Sequence, residues 1–139
     1  MIILDTNTLS ETLKPVPSSI LLRWLASQNP VSIYTTAISK AEMLDGVEVL
    51  PTGSRRQHLA QVVEEIFAED FSGRVLPFDQ ESAREFAKIA ASRRAAGRPI
   101  SQFDAMIAAI ARSHGAAVAT RNIGDFEHCR IRLINPWIA

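Results

Sequence analysis

The chain has 139 residues, of which 47% are hydrophobic and 22% are charged, a composition typical of a globular domain. Fifteen basic and fifteen acidic residues give a formal net charge of zero, which argues against a broad basic surface that binds nucleic acid by charge alone. No apolar window is long enough to cross a bilayer, and Asp5 interrupts the apolar start, so we expect neither a membrane partner nor a signal peptide. The one cysteine, Cys129, cannot form an internal disulfide. We therefore expect a single cytoplasmic domain spanning residues 1–139.

The hydrophobic pattern predicts strands and helices that alternate along the chain. In chain order these are a strand at 2–4, helices at 8–13 and 20–27, a strand at 31–35, helices at 39–50 and 55–71, a strand at 74–78, helices at 80–95 and 102–114, and strands at 116–120 and 132–134. Ser18 and Asp79 are expected to cap the helices that follow them, and Gly97 is expected to end the helix that begins after Asp79. This order predicts an α/β fold, a three-layer αβα sandwich with a mostly parallel central sheet.

Four acidic residues that are distant in sequence should meet at one edge of that sheet. Asp5 directly follows the first strand, and Asp125 lies in the loop that leaves the strand at 116–120. Glu42 and Asp104 are each expected in the first turn of a helix. Because ligands bind at the carboxyl edge of open parallel sheets, this arrangement predicts a cation site. A site made only of oxygen ligands suits Mg²⁺ or Mn²⁺ rather than zinc.

Each acid also has a simpler interpretation. Ser39 with Glu42, and Ser101 with Asp104, both resemble capping boxes, in which the acid reaches back to the helix N-terminus. Asp5 could be a turn residue whose side chain accepts hydrogen bonds from the backbone that follows it. Against this, two carboxylates ~4 Å apart repel by about 4 kcal/mol at an effective dielectric constant of 20. Clustered acids therefore need a cation, hydrogen-bond donors or a proton.

Contacts with nucleic acid would have to be local in a chain of zero net charge. The candidate phosphate-binding residues are Lys14, Arg55, Arg56, Arg93, Arg94, Arg98 and Arg121. Most of them are expected on solvated helix surfaces. Arg121 is the exception, because it lies beside the predicted crevice.

Several short motifs, taken in order, resemble a known family. They are Asp5-Thr6-Asn7, Ser39-x-x-Glu42, Asp104-Ala105-x-Ile107-Ala108, Thr120-Arg121-Asn122 ahead of Asp125-Phe126, and Ile134-Asn135-Pro136-Trp137. Together they look like a PIN domain over the whole chain, closest to the VapC toxins of bacterial toxin–antitoxin pairs and to their FitB-like subgroup. The resemblance implies a Mg²⁺- or Mn²⁺-dependent endoribonuclease, usually a homodimer. It also implies a cognate VapB-like antitoxin whose C-terminal segment enters the acidic groove and through which operator DNA is bound.

The resemblance also implies roles for individual residues. Asp5 and Asp104 match the principal metal ligands, and Glu42 matches a third acid that binds the metal directly or through water. Many relatives have an aspartate where this chain has Asn122, so Asp125 could supply the missing charge. Asn7 and Thr120 match positions that orient acids or solvent, and Arg121 is a further candidate for positioning substrate. The expected chemistry is attack of a metal-bound water on an RNA phosphodiester.

Two other functions remain open on sequence alone. An Asp after a first strand could be the nucleophile of an aspartyl-phosphate enzyme of the haloacid dehalogenase kind. That chemistry normally uses a second aspartate two residues later, where this chain has Asn7. The second possibility is a PIN module that binds RNA or an antitoxin without cutting, as Asn122 would suggest.

Overall fold

Five parallel strands form the central sheet in the computed structural model, which describes residues 1–138. They are β1 (Ile2–Leu4), β2 (Ile33–Thr36), β3 (Val75–Leu76), β4 (Ala117–Ala119) and β5 (Leu133–Ile134), in the order β3-β2-β1-β4-β5. In the register, Ile2 of β1 is opposite Ile33 on one side and Ala117 on the other. The strand order therefore reverses between β1 and β4, which is the place where doubly wound sheets bind ligands.

Seven helices connect the strands within the described residues. They are α1 (Thr6–Glu11), α2 (Ser19–Ala26), α3 (Ala37–Glu48), α4 (Ser54–Glu65), α5 (Gln80–Ala95), α6 (Gln102–His114) and α7 (Ile123–Phe126). The predicted caps are confirmed, since Ser18 accepts a hydrogen bond from the Leu21 N–H and Asp79 accepts one from the Ser82 N–H. Gly97 follows the end of α5 with a φ of 70°, a backbone conformation that favours glycine. Among residues 1–138, no helix combines the length and apolar character needed to cross a bilayer.

Some predicted boundaries are wrong, and local hydrogen bonding explains why. The strand predicted at 31–35 starts at Ile33, because Pro30–Ser32 form a 3₁₀ turn whose N-cap is Asn29. The helix predicted at 55–71 ends at Glu65 and continues as a π-helical turn, Ile66–Asp70. The loop expected after β4 contains the short helix α7, which the hydrophobic pattern did not predict.

The strands separate two apolar layers, as their alternating side chains require. Ile3 and Val118 pack with α5 and α6, together with Phe126 and Cys129. We call this side the α5–α6 face. On the opposite side, which we call the α3–α4 face, the strands pack with residues of α1, α3, α4 and the π-helical turn. The three-layer prediction is confirmed, and every strand pairing within residues 1–138 is parallel.

Candidate active site

Asp5 lies at the carboxyl end of β1, beside β4. Its backbone N–H donates to the Ala119 carbonyl at 3.1 Å, and Thr8 Oγ1 donates to the same carbonyl at 3.0 Å. The side chain is 4% exposed and is the N-cap of α1, because Oδ1 accepts from the Thr8 N–H at 2.8 Å. The turn interpretation of Asp5 is therefore confirmed for one oxygen. No residue in 1–138 donates a hydrogen bond to Oδ2, so that oxygen is available to a ligand.

Asp104 lies in the first turn of α6, as predicted. Ser101 caps this helix by accepting from the Asp104 N–H at 3.2 Å. Asp104 is half-buried, and Ala105, Ile107 and Ala108 of the same helix are almost completely buried. The carboxylate is therefore held at the boundary between the apolar interior and the crevice.

The pKa of Asp104 shows that the four acids share one electrostatic environment. Burial is the largest cause that raises this pKa above its ordinary value, and a hydrogen bond with the Ser101 side chain partly opposes it. The charges of Asp125, Asp5 and Glu42, in that order, raise the pKa further. Asp104 thus repels acids from three other elements of the chain, as far away in sequence as Asp5, and a cation would relieve this repulsion.

Glu42 reaches the same edge from α3, although not from its first turn. The helix begins at Ala37 because Thr36 Oγ1 accepts from the Ser39 N–H at 3.1 Å, so the capping box predicted for Ser39 and Glu42 is wrong. Glu42 Oε1 instead accepts from Thr6 Oγ1 at 2.6 Å, and Thr6 Oγ1 lies 2.9 Å from Ser39 Oγ. A hydroxyl from the residue after Asp5 therefore orients Glu42.

Asp125 is exposed on α7, and a buried arginine holds its backbone. Nη1 of Arg93 donates to the carbonyls of Asp125 and Glu127, each at 2.9 Å. Its Nε donates to the Arg98 carbonyl at 2.5 Å. Arg93 is only 4% exposed, so its assignment to solvated helix surface is wrong. Sequence offered no signal, because Arg93 is one of two adjacent arginines in the last turn of α5.

The remaining predicted site residues surround the acids. Thr120 is fully buried, and its Oγ1 accepts from the Asn122 N–H at 3.0 Å, which holds the turn after β4. Asn7, Arg121 and Asn122 are exposed and line a cavity of about 400 Å³. The Arg121 guanidinium lies over the ring of Trp137, 5.4 Å from its centroid. Trp137 was not predicted as a site residue.

These carboxylates are suited to an open metal site and not to a closed cage. No group of three or more His, Cys, Asp or Glu side chains in residues 1–138 is arranged to hold an ion by itself. Mg²⁺ commonly binds one or two carboxylates and completes its coordination with water and substrate phosphates. Asp5 and Asp104 fit that requirement, since both are held in place at the edge and carry only oxygen donors.

A groove of about 680 Å³ leads away from Glu42 along the α3–α4 face. Its polar end includes Thr6 and Asn7, and its floor includes the apolar residues Met43, Val47 and Leu59. The basic residues along it are Lys14, Arg55 and His58. Its lining includes Glu42, so the groove opens at the acidic edge.

The comparisons with known proteins agree with this geometry. The PIN-domain profile matches residues 2–130. "VapC ribonuclease Y4jK" of Sinorhizobium fredii is 39% identical over 99% of this chain and 98% of its own length. "Toxin FitB" of Neisseria gonorrhoeae is 38% identical over 99% of both chains. The solved structure of FitAB bound to an IR36 DNA fragment has a TM-score of 0.91 at 39% identity, over 99% of this chain and 96% of that one. This chain therefore belongs to the PIN-domain family, together with members named VapC ribonuclease and toxin FitB.

Proposed function

We propose that this protein is a Mg²⁺- or Mn²⁺-dependent endoribonuclease and the toxin of a toxin–antitoxin pair. One observation carries the proposal: Asp5 and Asp104 lie at the point where the strand order reverses, in an electrostatic cluster with Glu42 and Asp125. The ribonuclease activity named for the Sinorhizobium fredii relative supports the reaction class. The repulsion among the acids and their oxygen-only ligand atoms support the proposed metal dependence of this protein.

In the proposed mechanism, each residue of the edge has a distinct part. A bound divalent ion would supply a more acidic water and would neutralise charge on the phosphate. Asp5, through Oδ2, and Asp104 would hold that ion at the mouth of the crevice. Glu42, oriented by Thr6, would accept a hydrogen bond from the attacking water. Asp125 would add negative charge without being rigidly placed, since its side chain is exposed.

The polar residues after β4 would complete the site. Thr120 fixes the turn by accepting from the Asn122 N–H. This leaves the Asn122 side chain exposed, so that it can hold water or a phosphate oxygen. Asn7 is placed to do the same from α1. Because these amides are neutral, they would position the substrate without adding to the repulsion between RNA and the acids.

The partners are proposed from the relatives and from the groove. FitAB has been solved bound to DNA, so we propose a VapB-like antitoxin and contact with operator DNA through it. The 680 Å³ groove beside Glu42 would receive the antitoxin's C-terminal segment, with its apolar side chains on Met43, Val47 and Leu59. We propose that the toxin is a homodimer. A single domain in the cytoplasm stays a prediction.

The test is cleavage of RNA by purified protein that is free of antitoxin. Asp104→Asn and Asp5→Asn should each lower the rate by roughly a thousandfold or more, because each removes charge that holds the ion. Excess EDTA should lower the cleavage rate of the unmodified protein to the same extent, and added Mn²⁺ should restore cleavage. Asp45→Asn is a matched control, because Asp45 is exposed on the same helix as Glu42. The Asp45→Asn protein should cut RNA normally.

Three outcomes would contradict the proposal. Normal cleavage by either site variant, or in EDTA, would exclude the metal mechanism. A protein that binds RNA but never cuts it would identify the non-cutting module as the correct function. A phosphorylated Asp5 trapped after incubation with a phosphate ester would instead support the aspartyl-phosphate enzyme.

A further inference from the structure

A second cavity, of about 400 Å³, adjoins the groove, with which it shares Asn7, Ser10 and Lys14. Its volume falls within the range of small-molecule sites, roughly 300–1,000 Å³. Of the shared residues, Asn7 lies two positions after Asp5, so this end of the cavity is beside the acidic edge. The wall opposite α1 is formed by the chain that leaves β4 and by the C-terminal segment, with Arg121, Asn122 and Trp137. A ligand in this cavity would therefore lie next to the proposed cleavage site.

The most distinctive feature of the cavity is the cation–π contact between Arg121 and Trp137. The guanidinium carbon lies 5.4 Å from the centroid of the indole ring, within the distance of a cation–π contact. Asn135 connects the two backbones, because its Oδ1 accepts from the Trp137 N–H at 3.0 Å and its Nδ2 lies 3.5 Å from the Arg121 carbonyl. Arg121 is exposed and Trp137 is half-buried, so the pair presents a positive charge beside an aromatic ring to the solvent.

The charges around the cavity leave Arg121 available for an anion. Lys14 is paired with Glu11 at 3.0 Å, and the Glu11 carboxylate also accepts from the Ser18 N–H. The Lys14 hydrogen bond is the largest cause that lowers the pKa of Glu11, and the positive charge of Arg121, which lines the same cavity, lowers it further. By contrast, no carboxylate of residues 1–138 forms an ion pair with Arg121. An RNA strand that approaches an otherwise acidic edge would thus find a cation at this point.

We infer that this cavity binds one nucleotide of single-stranded RNA, next to the phosphodiester that is cut. The base stacks on the pair formed by Arg121 and Trp137, and the guanidinium offsets the charge of the adjoining phosphate. The amides of Asn7 and Asn122 line the same cavity, where they can hydrogen-bond a phosphate oxygen of this nucleotide. Single-stranded RNA is recognised by just such aromatic and guanidinium planes, because its bases are free to leave the stack. The inference rests on the proposed function and names the RNA subsite beside the same acids.

The test measures RNA binding separately from cutting. The chain has two tryptophans, so Trp24→Phe leaves Trp137 as the only one, and Asp104→Asn in the same protein prevents cleavage. The probe is a mixed-sequence single-stranded RNA of twelve nucleotides. Stacking of a base on Trp137 should quench its fluorescence as the strand is added. A duplex of the same length should quench less, because its bases are already stacked.

Variants at the two residues should weaken binding in this background. Arg121→Gln and Trp137→Leu should each raise the dissociation constant roughly tenfold, while Trp137→Phe should retain most of the affinity because it can still stack. Arg94→Gln removes the same charge from an exposed position on α5 and should bind RNA normally. Because Arg121 is exposed, its variant should keep the fold even if Trp137→Leu does not.

The failure of this inference can be distinguished from the failure of the proposed function. In protein with Asp104 intact, Arg121→Gln should raise KM for single-stranded RNA and change kcat little, as expected for lost binding. Unchanged quenching and unchanged affinity in Arg121→Gln would overturn the subsite even if cleavage still required Asp104. Loss of antitoxin binding with RNA binding intact would also overturn it, since the surface would then belong to the protein partner.

Discussion

The two faces of the sheet differ in how completely they are filled. On the α5–α6 face, six of the 13 residues of α6 are buried, and this helix carries Asp104. On the α3–α4 face, only one of the 12 residues of α4 is buried, and the 680 Å³ groove opens there. The two faces therefore have different roles. The α5–α6 face is closed and holds an acid in place, whereas the α3–α4 face is open and leaves room for a partner.

The sequences of the helices explain this difference. Four of the six buried residues of α6 are alanines, whose small side chains let the helix approach the sheet closely. On the other face, larger side chains such as Leu59 and Val62 are only half-buried, and the π-helical turn after α4 interrupts the regular packing. An apolar groove therefore remains between α3 and α4, next to Glu42.

The largest expected effect tests this difference directly. Ile110→Ala, on the closed face, should lower the free energy of unfolding by about 2–5 kcal/mol, because the fully buried side chain leaves a cavity. Leu59→Ala, in the groove, should cost about 1 kcal/mol or less, since water already reaches it. Urea denaturation of both variants provides the measurement. Equal losses would show that the two faces are packed alike.

Arg93 offers a second test, because it ties the closed face to the loop that carries Asp125. Arg93→Ala should cost about 2–4 kcal/mol, since it leaves carbonyls of Arg98, Asp125 and Glu127 without their donor. The neighbouring Arg94 is exposed, and Arg94→Ala should change stability by less than about 0.5 kcal/mol. Thermal unfolding distinguishes the two. A mild effect of Arg93→Ala would mean that solvent replaces the lost hydrogen bonds.

The smallest effect concerns the loss of folding stability caused by placing the Asp104 carboxylate at the boundary between the apolar interior and the crevice. Because its folded-state pKa is raised, protonation stabilises the fold, and this contribution is lost as pH rises through that pKa. Asp104→Asn should therefore raise the midpoint of thermal unfolding at neutral pH without metal.

The advantage of this variant should shrink below the unfolded-state pKa of 3.8, where both proteins are neutral at this position. Melting curves recorded across this pH range, in EDTA, provide the check. A variant that is less stable at neutral pH would show that the carboxylate is satisfied by the protein alone.

Sequence was sufficient for the architecture because strong periodic signals coincide with the elements that build it. The apolar run before Asp5, the capping residues Ser18 and Asp79, and the periodicity of α6 all correspond to the elements observed. Boundaries were less predictable where a side chain competes with the pattern. Thr36, which ends β2, also begins α3, and no hydrophobic period could reveal that double role.

The candidate site was predictable to a similar degree. The convergence of the acids followed from strand order, so Asp5 and Asp104 could be placed without coordinates. The contacts that hold the other groups of the site could not, because they depend on three-dimensional proximity between residues with no shared motif. Three such contacts join Thr6 to Glu42, Arg93 to the α7 loop and Arg121 to Trp137.

The one cysteine provides a way to follow how the loop beside the site opens. Cys129 is 1% exposed, its Sγ lies 3.6 Å from the Glu127 carbonyl that Arg93 also binds, and burial raises the pKa of its thiol. A thiol reagent can react with it only when this segment transiently unfolds. The rate at which Cys129 is labelled thus reports local opening in solution. This rate should fall when bound RNA or antitoxin stabilises the neighbouring helix α7.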